Sequence, residues 1–212
     1  MQVTRIIAVR HGETEWNRDT RIQGHTDIPL NSRGLRQAEL LALALRDEPI
    51  AAFYASDLSR ALQTAHTVAR CHGKTVTTHS GLRERAFGRF EGETWSGIEA
   101  NWPDDARAWR QRTPDFTPEG GESLLQLRAR VVTTLETLAA KHPGEQVMVV
   151  AHGGVLDILY RAATRLELQA PRSWDLSNTA INRLLWSPEG LSLVGWGDTT
   201  HLQDASLDET TA

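Results

Sequence analysis

Short apolar runs alternate along this chain with longer stretches of helical periodicity. Ile6-Ile7-Ala8-Val9 is uninterrupted, as expected of a strand buried on both faces, and it runs straight into Arg10-His11-Gly12-Glu13. Asn31-Ser32 offers an N-cap for a helix reaching about Arg46, with Leu35, Ala38, Leu41, Ala42 and Leu45 on its inner face. A second apolar run, Ala51 to Ala55, ends in Ser56-Asp57, and Asp57 is expected to cap a helix carrying Arg60, Thr64 and Val68. Lys74 to Thr78 reads as a short strand of β-branched residues.

Ser123 and Gln126 have the spacing of a capping box and open an amphipathic helix with Leu124, Leu127, Val131, Leu135 and Leu138 inward. Pro143-Gly144 stops that helix. Val147 to Ala151 is a third buried strand, leading to His152-Gly153-Gly154 and another helix from about Val155. Arg183 to Trp186 and Leu191 to Trp196 flank Ser-Pro-Glu-Gly, a hairpin signature. Strands alternating with helices predict an α/β, three-layer αβα sandwich around a mostly parallel central sheet. The chain is expected to form a single catalytic domain over residues 1–202, with 203–212 a flexible tail of small, polar and acidic residues.

Composition narrows the partners. At 212 residues, one substantial core is expected. Hydrophobic residues make up 40% and the net charge is only −4, so neither nucleic acid nor an anionic membrane is a general partner. The apolar run near the N-terminus is too short for a signal peptide or a membrane span. Cys71 is the lone cysteine and fits a cytoplasmic protein; it is expected to be a small packing residue.

The candidate chemistry sits where three strands end: Arg10-His11-Gly12, Ser56-Asp57 with Arg60 beyond, and His152-Gly153-Gly154. Ligands of open parallel sheets bind outside the carboxyl ends of the strands. Two histidines and two arginines would therefore share one crevice. Guanidinium forks suit a phosphoryl group, and they disfavour protonation of a neighbouring imidazole, leaving it nucleophilic. Gly12 is expected where backbone and substrate approach closely, and a helix from about Thr14 would aim free amides at an anion.

Arg10-His11-Gly12-Glu13-Thr14 with Asn17 resembles the signature of the histidine phosphatase superfamily, in its phosphoglycerate-mutase-like branch. Gln23-Gly24 with Asp27, Ser56-Asp57-Leu58-Ser59-Arg60-Ala61, Leu82-Arg83-Glu84, His152-Gly153-Gly154 and Asn178 follow in that branch's order. The resemblance implies His11 as the nucleophile that becomes phosphorylated, with Arg10 and Arg60 clamping the phosphoryl oxygens. His152, protonated or donating a hydrogen bond, would stabilise the same oxygens. Glu84 would protonate the leaving oxygen and then deprotonate water, which near neutrality requires a buried or negatively charged setting. Asn17, Gln23, Gly24 and Gly153 are implied as further substrate contacts.

No metal is implied, because fixed cations can neutralise the transferring group, and no other cofactor is expected of a phosphatase. His25, His66, His72, His79, His142 and His201 lack metal-ligand spacing, and neither a G-x-S-x-G elbow nor a P-loop is present. The resemblance also implies a helical cap over the site, about residues 85–122. Trp95, Trp102 and Trp109 recur every seven residues there, near one face if helical, and are expected to pack the cap. A short interval between Glu84 and His152 favours a compact phosphatase of small phosphorylated metabolites, monomeric or homodimeric. A phosphoglycerate mutase, which would use 2,3-bisphosphoglycerate, is the alternative, and an inactive phospho-ligand-binding protein the second.

Overall fold

A computed structural model of the protein describes residues 2–203. Its centre is one six-stranded sheet built from β1 (Thr4–Arg10), β2 (Ala52–Ala55), β3 (Val76–Thr78), β4 (Gln146–Ala151), β5 (Ile181–Ser187) and β6 (Gly190–Asp198). The spatial order is β3-β2-β4-β1-β5-β6. β1 to β4 are parallel, and the β5–β6 hairpin is added antiparallel along β1. β4 is inserted between β2 and β1, so chain segments far apart in sequence end side by side: Arg10 is in register with Ala151, and Ala55 with Val150.

The helices among the described residues are α1 (Glu15–Arg18), α2 (Ser32–Leu45), α3 (Ser59–Cys71), α4 (Trp95–Asn101), α5 (Pro103–Arg110), α6 (Leu124–Ala139), α7 (Gly153–Thr164) and α8 (Thr200–Gln203). Side chains alternate across each strand. Ile7, Val9, Met148 and Val150 pack with α2 and α3, whereas Ile6, Ala8, Val147 and Val149 pack with α6 and α7. Leu156, Ile158 and Leu159 of α7 are each at most 1% exposed, and burying such side chains stabilises the fold by about 1.5–3 kcal/mol apiece. The expected αβα layering is therefore present, and the Ser123–Gln126 capping box opens α6.

Several local expectations differ. Leu35 is 46% exposed, because Gly34 takes the inner place on the first turn of α2. Asp57 does not cap α3: the N-cap is Leu58, and the amide of Ser59 donates instead to Asp27 Oδ1 at 2.8 Å. Asp57 forks with Arg83, whose Nε and Nη2 donate to it at 2.7 and 2.6 Å. Cys71 is exposed at the end of α3 rather than packed. Gln203 closes α8, and the remainder of the expected tail lies outside the described residues.

The segment expected to form the cap has a core of its own, with Phe90, Ile98 and Ala106 buried against Trp95, Trp102, Trp109 and Phe87. The three tryptophans do not share a helix. Pro103 lacks the N–H and the steric room to continue α4, so a second helix starts there, and Trp102 marks the joint. They still meet around Phe90, with Trp109 5.3 Å and Trp102 5.6 Å from its ring centroid.

Candidate active site

His11 is delivered by the end of β1, where its amide donates to Ala151 O at 3.0 Å as the last rung beside β4. Its Nδ1 lies 2.7 Å from the Gly12 carbonyl. A carbonyl only accepts, so the proton is assigned to Nδ1 and the lone pair to Nε2. Asn178 Nδ2 donates to His11 O at 2.7 Å, tying the residue to the loop before β5. His152, the residue after β4, places its ring centroid 5.2 Å from that of His11.

Arg60 occupies the first turn of α3 and is completely buried. Its Nη1 donates to Thr26 O at 2.9 Å and its Nη2 to Gly24 O at 2.8 Å. Arg10 is anchored from the opposite side by Nη1 donating to Leu176 O at 2.6 Å. In each guanidinium the buried Nε has no hydrogen-bond partner, and neither has either ring nitrogen of His152. Unpaired buried donors are costly, so their convergence around one imidazole marks a place built for an anion.

Glu84 closes the site. Its Oε1 and Oε2 each accept from the Gly154 amide at 3.0 Å, and Oε1 also accepts from the Arg85 amide at 2.8 Å. A Cβ built on Gly153 would stand 3.7 Å from Arg10 Nε and 3.8 Å from Glu84 Oε2, which puts the carboxylate beside the arginine.

The sequence profile of the histidine phosphatase superfamily, branch 1, matches residues 6–199. The chain belongs to this superfamily. It is 39% identical to the metal-independent phosphoserine phosphatase of Arabidopsis thaliana, with 97% of this chain and 86% of that protein aligned. It is 37% identical to phosphoglycerate mutase-like protein 4 of the same plant, over 95% of this chain and 88% of that one. The solved phosphoserine phosphatase of Entamoeba histolytica in complex with 3-phosphoglyceric acid superposes with a TM-score of 0.83 at 29% identity, covering 94% of this chain and 99% of that one. This histidine phosphatase is thus an enzyme of the phosphatase type, on the αβα fold of its relatives.

Burial, then the charges of Arg10 and Arg60, hold His11 well below the ordinary histidine value of 6.5. His152 is held down in the same way, first by burial and then by Arg60 and His11. Both rings are neutral at pH 7. For His152 this favours the hydrogen-bond-donating alternative set out above over the protonated one.

The structure brings His11, His152, Arg10, Arg60, Glu84 and Gly153 to one place and treats the remaining expected contacts differently. Asn17 is engaged locally: Thr14 and Asn17 form a capping box, the Thr14 amide donating to Asn17 Oδ1 at 3.1 Å. The amides expected to face an anion from α1 are therefore partly used by this cap, and the helix is a single turn. Gln23 is buried, with its Oε1 3.0 Å from Thr14 Oγ1. Gly24 contributes its carbonyl to Arg60, at a φ of +55° that only glycine adopts freely. Gly12 makes a close approach to protein, since a Cβ there would lie 2.5 Å from Gly34 O.

Sequence reasoning missed three supports. Gly154 holds Glu84, and a second glycine inside a helix start was the available signal. Thr64 accepts from the Gly12 amide at 3.1 Å while its hydroxyl donates to Arg60 O at 2.8 Å, linking the end of β1 to the first turn of α3. Glu91 accepts from the amides of His25, Thr26 and Phe87 and from the Thr26 hydroxyl, fixing the loop whose carbonyls hold Arg60. Nothing local distinguishes Glu91 from the neighbouring Glu93. Among the described residues no group of three or more His, Cys, Asp or Glu side chains could hold a metal ion, and no helix is long and apolar enough to cross a membrane.

Proposed function

We propose that this histidine phosphatase hydrolyses small phosphomonoesters, of the sugar phosphate or phosphoglycerate type, through a phosphohistidine at His11. One observation carries the reading. His11 commits its Nδ1 proton to the Gly12 carbonyl, leaving Nε2 as an open lone pair among the unpaired donors of Arg10, Arg60 and His152.

In the first step Nε2 attacks phosphorus, the bond to the leaving oxygen breaks, and Glu84 gives that oxygen a proton. Arg10 and Arg60 carry the countercharge for the phosphoryl oxygens, and His152 donates a neutral hydrogen bond to them. In the second step Glu84, now ionised, takes a proton from water. The water oxygen attacks phosphorus, the N–P bond breaks and phosphate leaves. Asn17, Gln23 and Gly153 are the further residues offered as substrate contacts. Positioned cations replace a metal ion here, in keeping with the name of the metal-independent Arabidopsis relative. That name also adds phosphoserine to the substrates to try. The exposed lone Cys71 suits a reducing, cytoplasmic setting.

Turnover of p-nitrophenyl phosphate in EDTA, with a quenched phosphoenzyme that is stable to alkali and labile to acid, is the expected result. His11→Ala should lose both. Phosphoenzyme in that variant, or activity that vanishes with EDTA and returns with a divalent ion, would overturn the mechanism. The mutase reading is favoured by the names of several relatives. Fast isomerisation of 3-phosphoglycerate with catalytic 2,3-bisphosphoglycerate, without release of phosphate, would establish it instead.

A further inference from the structure

The loop over residues 23–27 serves the phosphoryl clamp through its main chain. The carbonyls of Gly24 and Thr26 hold Arg60, while Glu91 grips the loop from behind by accepting from the amides of His25 and Thr26. The side chain of His25 has no part in that grip. Its half-buried ring turns to another segment, where Nε2 lies 2.9 Å from the carbonyl oxygen of Glu84. A carbonyl only accepts, so Nε2 is assigned the proton and donates it.

The acceptor is a particular carbonyl. Glu84 O and the amide of Arg85 are the two ends of one planar peptide, and that amide donates to Glu84 Oε1 at 2.8 Å. A donor on the oxygen of a peptide draws charge from its nitrogen and strengthens the N–H, so hydrogen bonds in series reinforce one another. Imidazole, peptide and the carboxyl of the proposed acid therefore form one chain. The same carbonyl also accepts from Arg130 Nη2 at 3.2 Å. That guanidinium is spread over the whole segment, with Gly81 O and Arg83 O on Nη1 at 3.0 and 2.9 Å and the Glu122 carboxylate on Nε and Nη2 at 2.9 and 2.7 Å. Arg130 pins the segment to α6. His25 bears on the one peptide beside the acid.

We propose that His25 is a positioning residue for proton transfer, which acts through the Glu84–Arg85 peptide and ties the setting of the acid to the loop that sets Arg60. The inference rests on the phosphatase reading and deepens it. In this role the ring fixes the plane of the peptide, and with it the direction from which the Arg85 amide holds Oε1. Because Glu91 grips the loop by its main chain, removing the ring leaves the carbonyls on Arg60 in place.

The test compares two variants on two esters. His25→Leu keeps apolar bulk without a donor, and His25→Gln restores an N–H at the same reach from Cα. Values of kcat/KM are measured for hexyl phosphate and for p-nitrophenyl phosphate, whose leaving group departs without a proton. One neutral hydrogen bond is lost in His25→Leu while Arg130 stays on the carbonyl, so the hexyl phosphate value should fall about tenfold and the p-nitrophenyl value less than about twofold. His25→Gln should regain most of the loss, and inhibition by orthovanadate should be unchanged in both. Added to Glu84→Gln, His25→Leu should cost less than about twofold more, because the group it positions has no proton to give. Wild-type activity on hexyl phosphate in His25→Leu, equal losses on both esters or weakened vanadate inhibition overturns the role of His25 and leaves the phosphatase reading standing. So does a tenfold loss repeated in the Glu84→Gln background, or a His25→Gln variant no better than His25→Leu. Failure of the wild type to hydrolyse either ester overturns both.

Discussion

Gly154→Ala separates the positioning of Glu84 from the stability of the fold, because the two should move in different directions. Gly154 is the second residue of α7, where alanine is normally favoured over glycine by roughly 0.5–1 kcal/mol. Its amide donates at 3.0 Å to both carboxylate oxygens of Glu84. A methyl group there would stand well inside contact distance of Glu84 Oε1 and 3.3 Å from its Cδ, while Leu127 Cδ2, at 3.6 Å, would be in ordinary contact. Restoring normal separation moves the carboxyl by about 1 Å, and a displacement of that size can lower a rate about 100-fold. The loss should fall on esters that need a proton on the departing oxygen. Alkyl phosphates should slow by about two orders of magnitude, and p-nitrophenyl phosphate by only a few-fold. The unfolding free energy should stay within about 1 kcal/mol of wild type. Paired steady-state assays and urea titrations measure these quantities. Unchanged alkyl phosphatase activity, or equal losses on both esters, would refute the assignment of Glu84 as the acid held by Gly154.

Three further outcomes follow from the same contacts. Glu84→Gln should reproduce the leaving-group selectivity of Gly154→Ala more strongly, again read as the ratio of alkyl to p-nitrophenyl rates. Glu91→Ala strips a charged acceptor from the loop that holds Arg60 and should cost about 3 kcal/mol in urea. It should also weaken inhibition by orthovanadate; Glu91→Gln, which keeps one acceptor oxygen, should recover part of that affinity. His11 and His152 are neutral when folded but titrate near 6.5 when unfolded, so protons favour the unfolded chain as pH falls below 6.5. Each ring should then remove about 1.4 kcal/mol of stability per pH unit until its own depressed value is reached; the His11→Asn/His152→Asn double variant should show a shallower fall between pH 6.5 and 5, and parallel curves would contradict the assignment of neutral rings.

What the sequence made legible was local and periodic. Ile6 to Val9 and Val147 to Ala151 read as strands because burial on both faces leaves no polar alternation. The residues following them read as chemistry because strand ends of parallel sheets face ligands. Placing β4 between β1 and β2, which makes His11 and His152 neighbours, depends on pairing between distant segments; the strand-end rule anticipated its consequence but not the order itself. The misreadings have the same origin. Asp57 had the position of a helix cap, yet Arg83 offered it a bidentate partner from another segment and Asp27 took over the amide of Ser59. Gly12 was legible as a close approach, but its partner was the equally side-chain-free Gly34. The tryptophan spacing suggested one helix until Pro103 is given its steric weight.

The unpaired donors at the site explain why arginine and histidine divide the work as they do. Arg10 Nε, Arg60 Nε and both nitrogens of His152 lie buried without partners, and each such group costs about 1–3 kcal/mol in a protein interior. Histidine cannot carry the positive charge in this setting, because burial and the adjacent guanidiniums drive the proton off both rings. Arginine can, since it starts from so high a value that burial lowers it without removing its charge near neutral pH. In the proposed mechanism, the charge that neutralises the phosphoryl oxygens therefore resides on the groups that hold it most firmly. The imidazole between them is kept uncharged by that same charge, and in the proposed mechanism it is nucleophilic for the reason that makes the site expensive to fold.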